Sequence, residues 1–165
     1  MPGSVDDLKA MEYELVEYLG FGSLTEKTYA EWQQHFGIGE DVKMTAEHET
    51  AMEEQFGQTI ITNFPEMTSP FWNMARNDDG KTAKKMDVIL GGMETIGSAE
   101  RSCDVDMMRD TFHSITDGAY SKLLFELFGK ERVEAELEKF LEFDFFQRVG
   151  GGIGMTRMIS ALDKQ

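Results

Sequence analysis

The chain has 165 residues, 41% of them hydrophobic, enough for one globular domain with a real core. Sixteen Lys and Arg stand against thirty-one Asp and Glu, a net charge of -15 that disfavours broad attraction to nucleic-acid phosphates or anionic membranes. The single cysteine, Cys103, excludes a disulfide framework and a Cys-rich zinc site. With no apolar run near the ~20 residues that span a bilayer, and no secretory leader in "MPGSVDDLKAMEYELVEY", a cytoplasmic protein is expected.

Residues 5–19 carry Leu8, Met11, Leu15, Val16 and Leu19 at near-helical spacing, with Ser4 as cap and Gly20 as stop. "SLTEKTYAEWQQHFG" repeats the pattern, Ser23 or Thr25 capping a helix whose stripe is Tyr29, Trp32 and Phe36. A third helix is expected over 45–56. The character then changes: "QTIITNFP" is a β-branched run stopped by Pro65, and "SPFWNM" is expected as an adjacent short strand. "ARNDDGKTAKK" is a polar turn cluster. From 102 to 143 the period is helical again, with "MMRDTFHSI" as one helix and "KERVEAELEKFLEF" as an amphipathic one that turns Val133, Leu137, Phe140 and Leu141 inward. The expected architecture is one α+β domain over 1–165, helical to about 57, then an antiparallel sheet flanked by helices.

The stretch "MDVILGGMETIGSAER" reads as a hairpin on a Gly91-Gly92 turn. A regular register pairs Leu90 with Met93, Ile89 with Glu94, Val88 with Thr95 and Asp87 with Ile96. Asp87, Ile89, Glu94 and Ile96 then share a face, with the two acids about 7 to 8 Å apart at Cα. That separation suits a shared divalent cation, and magnesium prefers a few carboxylates plus substrate phosphates. Arg101 follows as a planar fork for a carboxylate. From spacing alone the stretch reads equally as a solvated hairpin whose Arg101 pairs with a nearby acid. "GGGIGMTRM" lets backbone amides and Arg157 converge on an anion. It is neither a dinucleotide fingerprint nor a phosphate loop, and by itself it reads first as a tight strand-to-helix connection.

Taken in order, "TYAEW", "TAEHE", "IITNFPEMTSPFW", "MDVILGGMETIGSAER" and "GGGIGMTRM" resemble the catalytic core of class II aminoacyl-tRNA synthetases of the aspartyl and asparaginyl group. They look closest to the ammonia-dependent asparagine synthetases related to that group. The resemblance implies that Asp87 and Glu94 hold magnesium, that Arg101 grips the side chain of bound aspartate or asparagine, and that Gly97 and Ser98 line the amino-acid pocket. It further implies that Gly154 and Arg157 meet ATP, catalysis resting on Glu94, Arg101 and Arg157. Such enzymes activate a carboxylate by attack on the α-phosphate of ATP, giving an acyl-adenylate and pyrophosphate.

Two positions depart from the tRNA ligases: Thr156 replaces the acid that commonly precedes the arginine, and Arg148 stands where they usually carry a histidine. The first and second class II motifs, the latter with its α-phosphate arginine, have no counterpart in the sequence. The resemblance makes asparagine synthesis from aspartate and ammonia the leading expectation, in a homodimer, with tRNA and membranes disfavoured as partners. The alternatives are a catalytic fragment of an asparaginyl- or aspartyl-tRNA synthetase, and a non-catalytic paralogue that binds amino acid or nucleotide. None of the three histidines is assigned a catalytic role.

Overall fold

The computed structural model describes residues 1–165. Five strands form one sheet in chain order: β1 (Thr25–Thr28), β2 (Thr59–Pro65), β3 (Thr82–Leu90), β4 (Met93–Arg101) and β5 (Arg148–Ile153). Neighbours are antiparallel except β1, which runs parallel to β2, so the expected antiparallel sheet is mixed at one edge. Helices α1 (Val5–Tyr18) and α7 (Met155–Leu162) cover one face, α2 (Tyr29–Phe36) and α3 (Ala46–Phe56) the other. Helices α4 (Val105–Ser114), α5 (Ala119–Phe128) and α6 (Lys130–Leu141) lie between β4 and β5 in the chain.

Strand periodicity explains the two cores. Ile60 and Ile61 on β2, like Val88 and Ile89 on β3, send adjacent side chains to opposite faces. Ile60, Met86, Val88, Leu90, Ile96 and Val149 meet Leu8 and Val16 of α1 and Met158 of α7. Ile61, Phe64 and Ile89 meet Tyr29, Trp32 and Met52 on the far side. The centre of the sheet is buried on both faces, hence the unbroken apolar run at Val88, Ile89 and Leu90. Each fully buried side chain of this kind contributes roughly 1.5–3 kcal/mol. A third cluster gathers Trp72, Met108, Phe112, Val133, Leu137 and Leu141, so the inward stripe expected of α6 holds, with Phe140 packed at its edge.

Several expectations need correction. The helix expected from Ser23 or Thr25 begins at Tyr29: the β-branched ends of "TEKT" pair with β2, and Thr28 forms a capping box with Glu31. "SPFWNM" is not a strand. A 3-10 turn over Glu66–Thr68 and a left-handed Ser69 (φ 58°) break the chain out of the sheet, Trp72 is drawn into the helical cluster, and Met74 keeps one isolated bridge to Arg101. Between α4 and α6 the sequence reading lacked α5, and three of the expected loop glycines are strand residues of β5. No helix is long and apolar enough to cross a membrane.

Candidate active site

Gly91 (φ 62°) and Gly92 (φ 75°) make the two-residue turn that joins β3 to β4, a conformation that favours glycine at both places. Leu90 pairs with Met93 and Ile89 with Glu94, as the spacing predicts. The register then slips by one, so that Val88 pairs with Ile96 and Asp87 with Gly97. Thr95 is the extra residue of a β-bulge. Its hydroxyl reaches the Leu90 and Met93 carbonyls at 3.3 and 3.0 Å, and its own carbonyl accepts from the Gly154 N–H at 2.8 Å. Asp87 and Glu94 remain on one face, but Ile96 leaves it for the core. The bulge also decides where the arginine goes. Seven residues along a regular strand, Glu94 and Arg101 point to opposite faces. With one residue inserted, Glu94, Gly97, Ala99 and Arg101 share one.

Asp87 is 6% exposed. One of its oxygens pairs with the Lys85 ammonium, and the other, Oδ1, is buried without a partner. A methyl group placed on Gly97 would lie 2.7 Å from Glu94 Oε1 and 3.3 Å from Asp87 Oδ1, so both carboxylates converge on the space this glycine leaves. Burial pushes the Asp87 carboxyl up to about 6 against the pull of Lys85, and the charges of Glu94 and Glu49 add to the rise. Glu49, on α3, accepts from the Glu94 N–H at 2.9 Å. Arg157, in the first turn of α7, donates to the Glu94 carbonyl at 2.6 Å and stands 3.9 Å from its carboxylate.

These two acids fit magnesium. The buried Oδ1, with no hydrogen-bond partner, is free to act as a ligand atom, and no group of three or more His, Cys, Asp or Glu side chains is placed to hold a metal without other ligands. Two carboxylates with the remaining positions left to water and phosphate is the arrangement this ion takes in phosphoryl chemistry.

Beyond the acids, Gly152 and Gly150 of β5 pair with Gly97 and Ala99 on the same face, leaving a strip of sheet with no side chain longer than a methyl. Arg101 bounds its far end and folds back over it, and Ala99 beneath is fully covered, so the open part of the strip is at Gly97 and Gly152. The Arg101 Nε lies 4.0 Å from a Cβ placed on Gly150, and its Nη2 donates to the Gly150 carbonyl at 3.4 Å. Acids and Arg157 at one end, a bare floor, and a guanidinium at the other suit a ligand that carries phosphates and a carboxylate.

Ser98 is not brought to this face. Its side chain points the other way, is 4% exposed, and bonds to Glu12 of α1, because the bulge sets Gly97 rather than Ile96 opposite Asp87 and so turns Ser98 to the opposite face. Gly154 caps α7 through the Thr95 carbonyl rather than lying on the floor. His48 closes a capping box with Thr45. Two residues of the cluster escaped the sequence reading. Lys85 had a usable signal, two positions before Asp87 on the same strand face. Glu49 had only its place in "AEHE", since its approach to Glu94 joins segments 45 residues apart.

Residues 8–165 match the model of the family described as tRNA synthetases class II (D, K and N). The chain is 29% identical over 110 residues to an asparagine–tRNA ligase from Rhodopirellula baltica, covering 65% of this chain and 22% of that protein. To the asparagine–tRNA ligase of Mesoplasma florum it is 27% identical over 133 residues, 76% of this chain and 24% of the relative. In fold it is similar to the crystal structure of asparaginyl-tRNA synthetase from Pyrococcus horikoshii complexed with asparaginyl-adenylate. The TM-score is 0.75 at 17% identity, over 98% of this chain and 42% of that one. An aspartyl tRNA synthetase from Entamoeba histolytica aligns with a TM-score of 0.63 at 19% identity, over 84% and 28%. The chain thus spans about a quarter or less of these curated relatives and under half of these solved chains.

Proposed function

This chain belongs to the class II tRNA synthetases of the D, K and N type, and we propose that it carries the ATP and amino-acid wall of an adenylate-forming site for an aspartate-type amino acid. The observation that carries the reading is the convergence of Asp87 and Glu94 over Gly97, beside Arg157 and on the same bare floor as Arg101. Asp87 and Glu94 would hold magnesium, which when bound neutralises phosphate charge and steadies pyrophosphate as it leaves. Arg157 meets the nucleotide phosphates. Arg101 holds the side-chain end of the amino acid, and the floor lets its α-carboxylate lie close against the backbone for in-line attack on the α-phosphate.

The two relatives matched in sequence are asparagine–tRNA ligases, so ammonia, the acceptor expected from the motifs, has no support among them. The alternative, a catalytic segment of an asparaginyl- or aspartyl-tRNA synthetase type, fits better, and tRNA is the acceptor proposed. One observation favours a second reading, in which the chain binds these ligands without catalysing. Arg76, Arg109 and Arg132 are each engaged by Glu66, Glu138 and Glu136, and Arg148 by the carbonyls of Ser102 and Phe146, which leaves no further free guanidinium for the α-phosphate that the second motif would serve.

Thermal stabilisation by ATP tests both. ATP with magnesium is expected to raise the melting temperature, and Arg157→Ala and Glu94→Ala each to remove most of that rise. A rise that ignores magnesium, or survives both substitutions, rejects the site. Amino-acid-dependent pyrophosphate exchange by the same protein separates catalysis from binding alone.

A further inference from the structure

We propose that Arg148 sets the preference of this site for a carboxylate over a carboxamide at the side-chain end of the bound amino acid, by placing a second fixed positive charge behind Arg101. This inference rests on reading the floor between Glu94 and Arg101 as an amino-acid site.

Arg148 is the direct cross-strand partner of Arg101, so the two side chains leave the sheet on the same face. Like charges in directly opposed positions destabilise a sheet. Among thirty-one acids in this chain, none comes within 4.0 Å of either guanidinium. Both are half-buried, which makes the arrangement costlier than the same pair in open solvent. Burial, and then the charge of Arg148, hold the Arg101 guanidinium below its ordinary pKa.

The contacts of the two side chains assign them different parts. Arg148 is fixed from behind: it donates to the carbonyls of Ser102 and Phe146 at 3.2 and 3.3 Å, and its guanidinium carbon lies 4.5 Å from the centre of the Phe145 ring. Arg101 is held only by two long bonds of 3.4 Å, to Asn73 Oδ1 and the Gly150 carbonyl, leaving its fork free to turn to a ligand. Arg148 is therefore a positioning residue whose charge acts through Arg101. A carboxylate in front of Arg101 relieves the repulsion between the two guanidiniums and accepts a bidentate fork. A neutral carboxamide of the same shape offers one acceptor oxygen and no countercharge. The chain is expected to favour aspartate although the two relatives matched in sequence are asparagine–tRNA ligases.

The experiment titrates the full chain, saturated with magnesium and a non-hydrolysable ATP analogue, with L-aspartate, L-asparagine and sulfate, following binding by calorimetry. Aspartate is expected to bind about tenfold or more tightly than asparagine. Arg148→Gln should bring the ratio near one, and Arg148→Lys, which keeps the charge, should retain most of it. Binding of the nucleotide analogue should be unchanged in both variants. Asparagine bound as tightly as aspartate by the parent chain, or a ratio untouched by Arg148→Gln, overturns the proposal. Equal weakening of both amino acids overturns it too, since that marks a merely structural residue. Sulfate binding as well as aspartate, with the same loss in Arg148→Gln, reduces the pair to a general anion site. Nucleotide binding without any amino-acid binding refutes this inference and leaves the nucleotide wall standing, whereas no nucleotide binding at all refutes the proposed function itself.

Discussion

Replacing Gly97 by alanine separates folding from function at one atom. Gly97 does not occupy the left-handed region, so its backbone accepts alanine, and the loss of freedom in the unfolded chain favours the variant by about 0.4–1 kcal/mol. Against this, the new methyl lies 2.7 Å from Glu94 Oε1 and 3.3 Å from Asp87 Oδ1. The Glu94 side chain is 43% exposed and its carboxylate is held by nothing nearer than Arg157 at 3.9 Å, so it swings aside at a cost of about 0.5–1.5 kcal/mol. Asp87, tied to Lys85 in the interior, has only a few tenths of an ångström to give. The two effects offset each other to within about 1 kcal/mol, a melting-point change of at most about 2–4 °C for a chain of this size. The ligand site fares differently, because the methyl fills the space on which the two carboxylates converge. Magnesium-ATP should bind at least about tenfold more weakly, shrinking its stabilisation by about 1.4 kcal/mol at saturating ligand. Melting curves of parent and variant, with and without magnesium-ATP, read both quantities. An unchanged magnesium-dependent shift in a folded Gly97→Ala protein refutes the assignment of the two acids. Gross destabilisation of the ligand-free variant refutes the claim that Glu94 is free to move.

Gly151→Ala should behave in the opposite way. Its methyl would meet Ser98 Cβ at 2.5 Å and the Gly97 carbonyl at 2.8 Å, contacts with neighbouring strand that a flexible side-chain end cannot relieve. Denaturant unfolding should show a loss of about 1–3 kcal/mol, and a neutral result would mean that β4 and β5 are not in this register. Glu12→Gln should make stability less dependent on pH. The Glu12 carboxyl is 3% exposed, one oxygen bonded to the Ser98 hydroxyl and the other unpartnered, and burial lifts it from 4.5 to about 7. Between those values the folded chain keeps a proton that the unfolded chain has released, so stability falls as pH rises through the window and levels off above it. The advantage of the Gln variant over the parent should grow from near zero below pH 4.5 to about 3 kcal/mol at pH 8. A difference that stays constant across the titration would show that Glu12 is ionised in both states.

Much of the scaffold was legible because local chemistry and packing agree there. Ser4 caps α1, Gly37 ends α2 in a left-handed conformation, and Gly91-Gly92 makes the turn between β3 and β4. The errors fall where distant partners override local signals. "TEKT" becomes a strand only because β2 is beside it, and "SPFWNM" leaves the sheet because Trp72 finds Phe112 and Phe140. That Asp87 and Glu94 share a face was legible from a two-residue turn, and the family resemblance gave Arg101 and Arg157 their expected roles. What no spacing rule revealed was Thr95. Nothing in "METIG" announces an extra residue, since the bulge is held by carbonyls of the turn and by the amide of Gly154, contributed by a segment 59 positions further on.

The bulge makes β4 a phase-sensitive element. Deleting Thr95 would only remove the bulge and leave Glu94 and Arg101 six residues apart on one face, whereas deleting Ser98 would invert every position after it, delivering Glu100 to the floor and turning Arg101 toward the apolar packing of α1 and α7. Replacing buried Thr95 with valine, of nearly the same shape, leaves the residue count intact and costs its hydroxyl contacts. Between Gly97 and Arg101 the number of residues therefore matters more than the identity of most of them, and a length change of one there inactivates the face without touching any residue assigned to it.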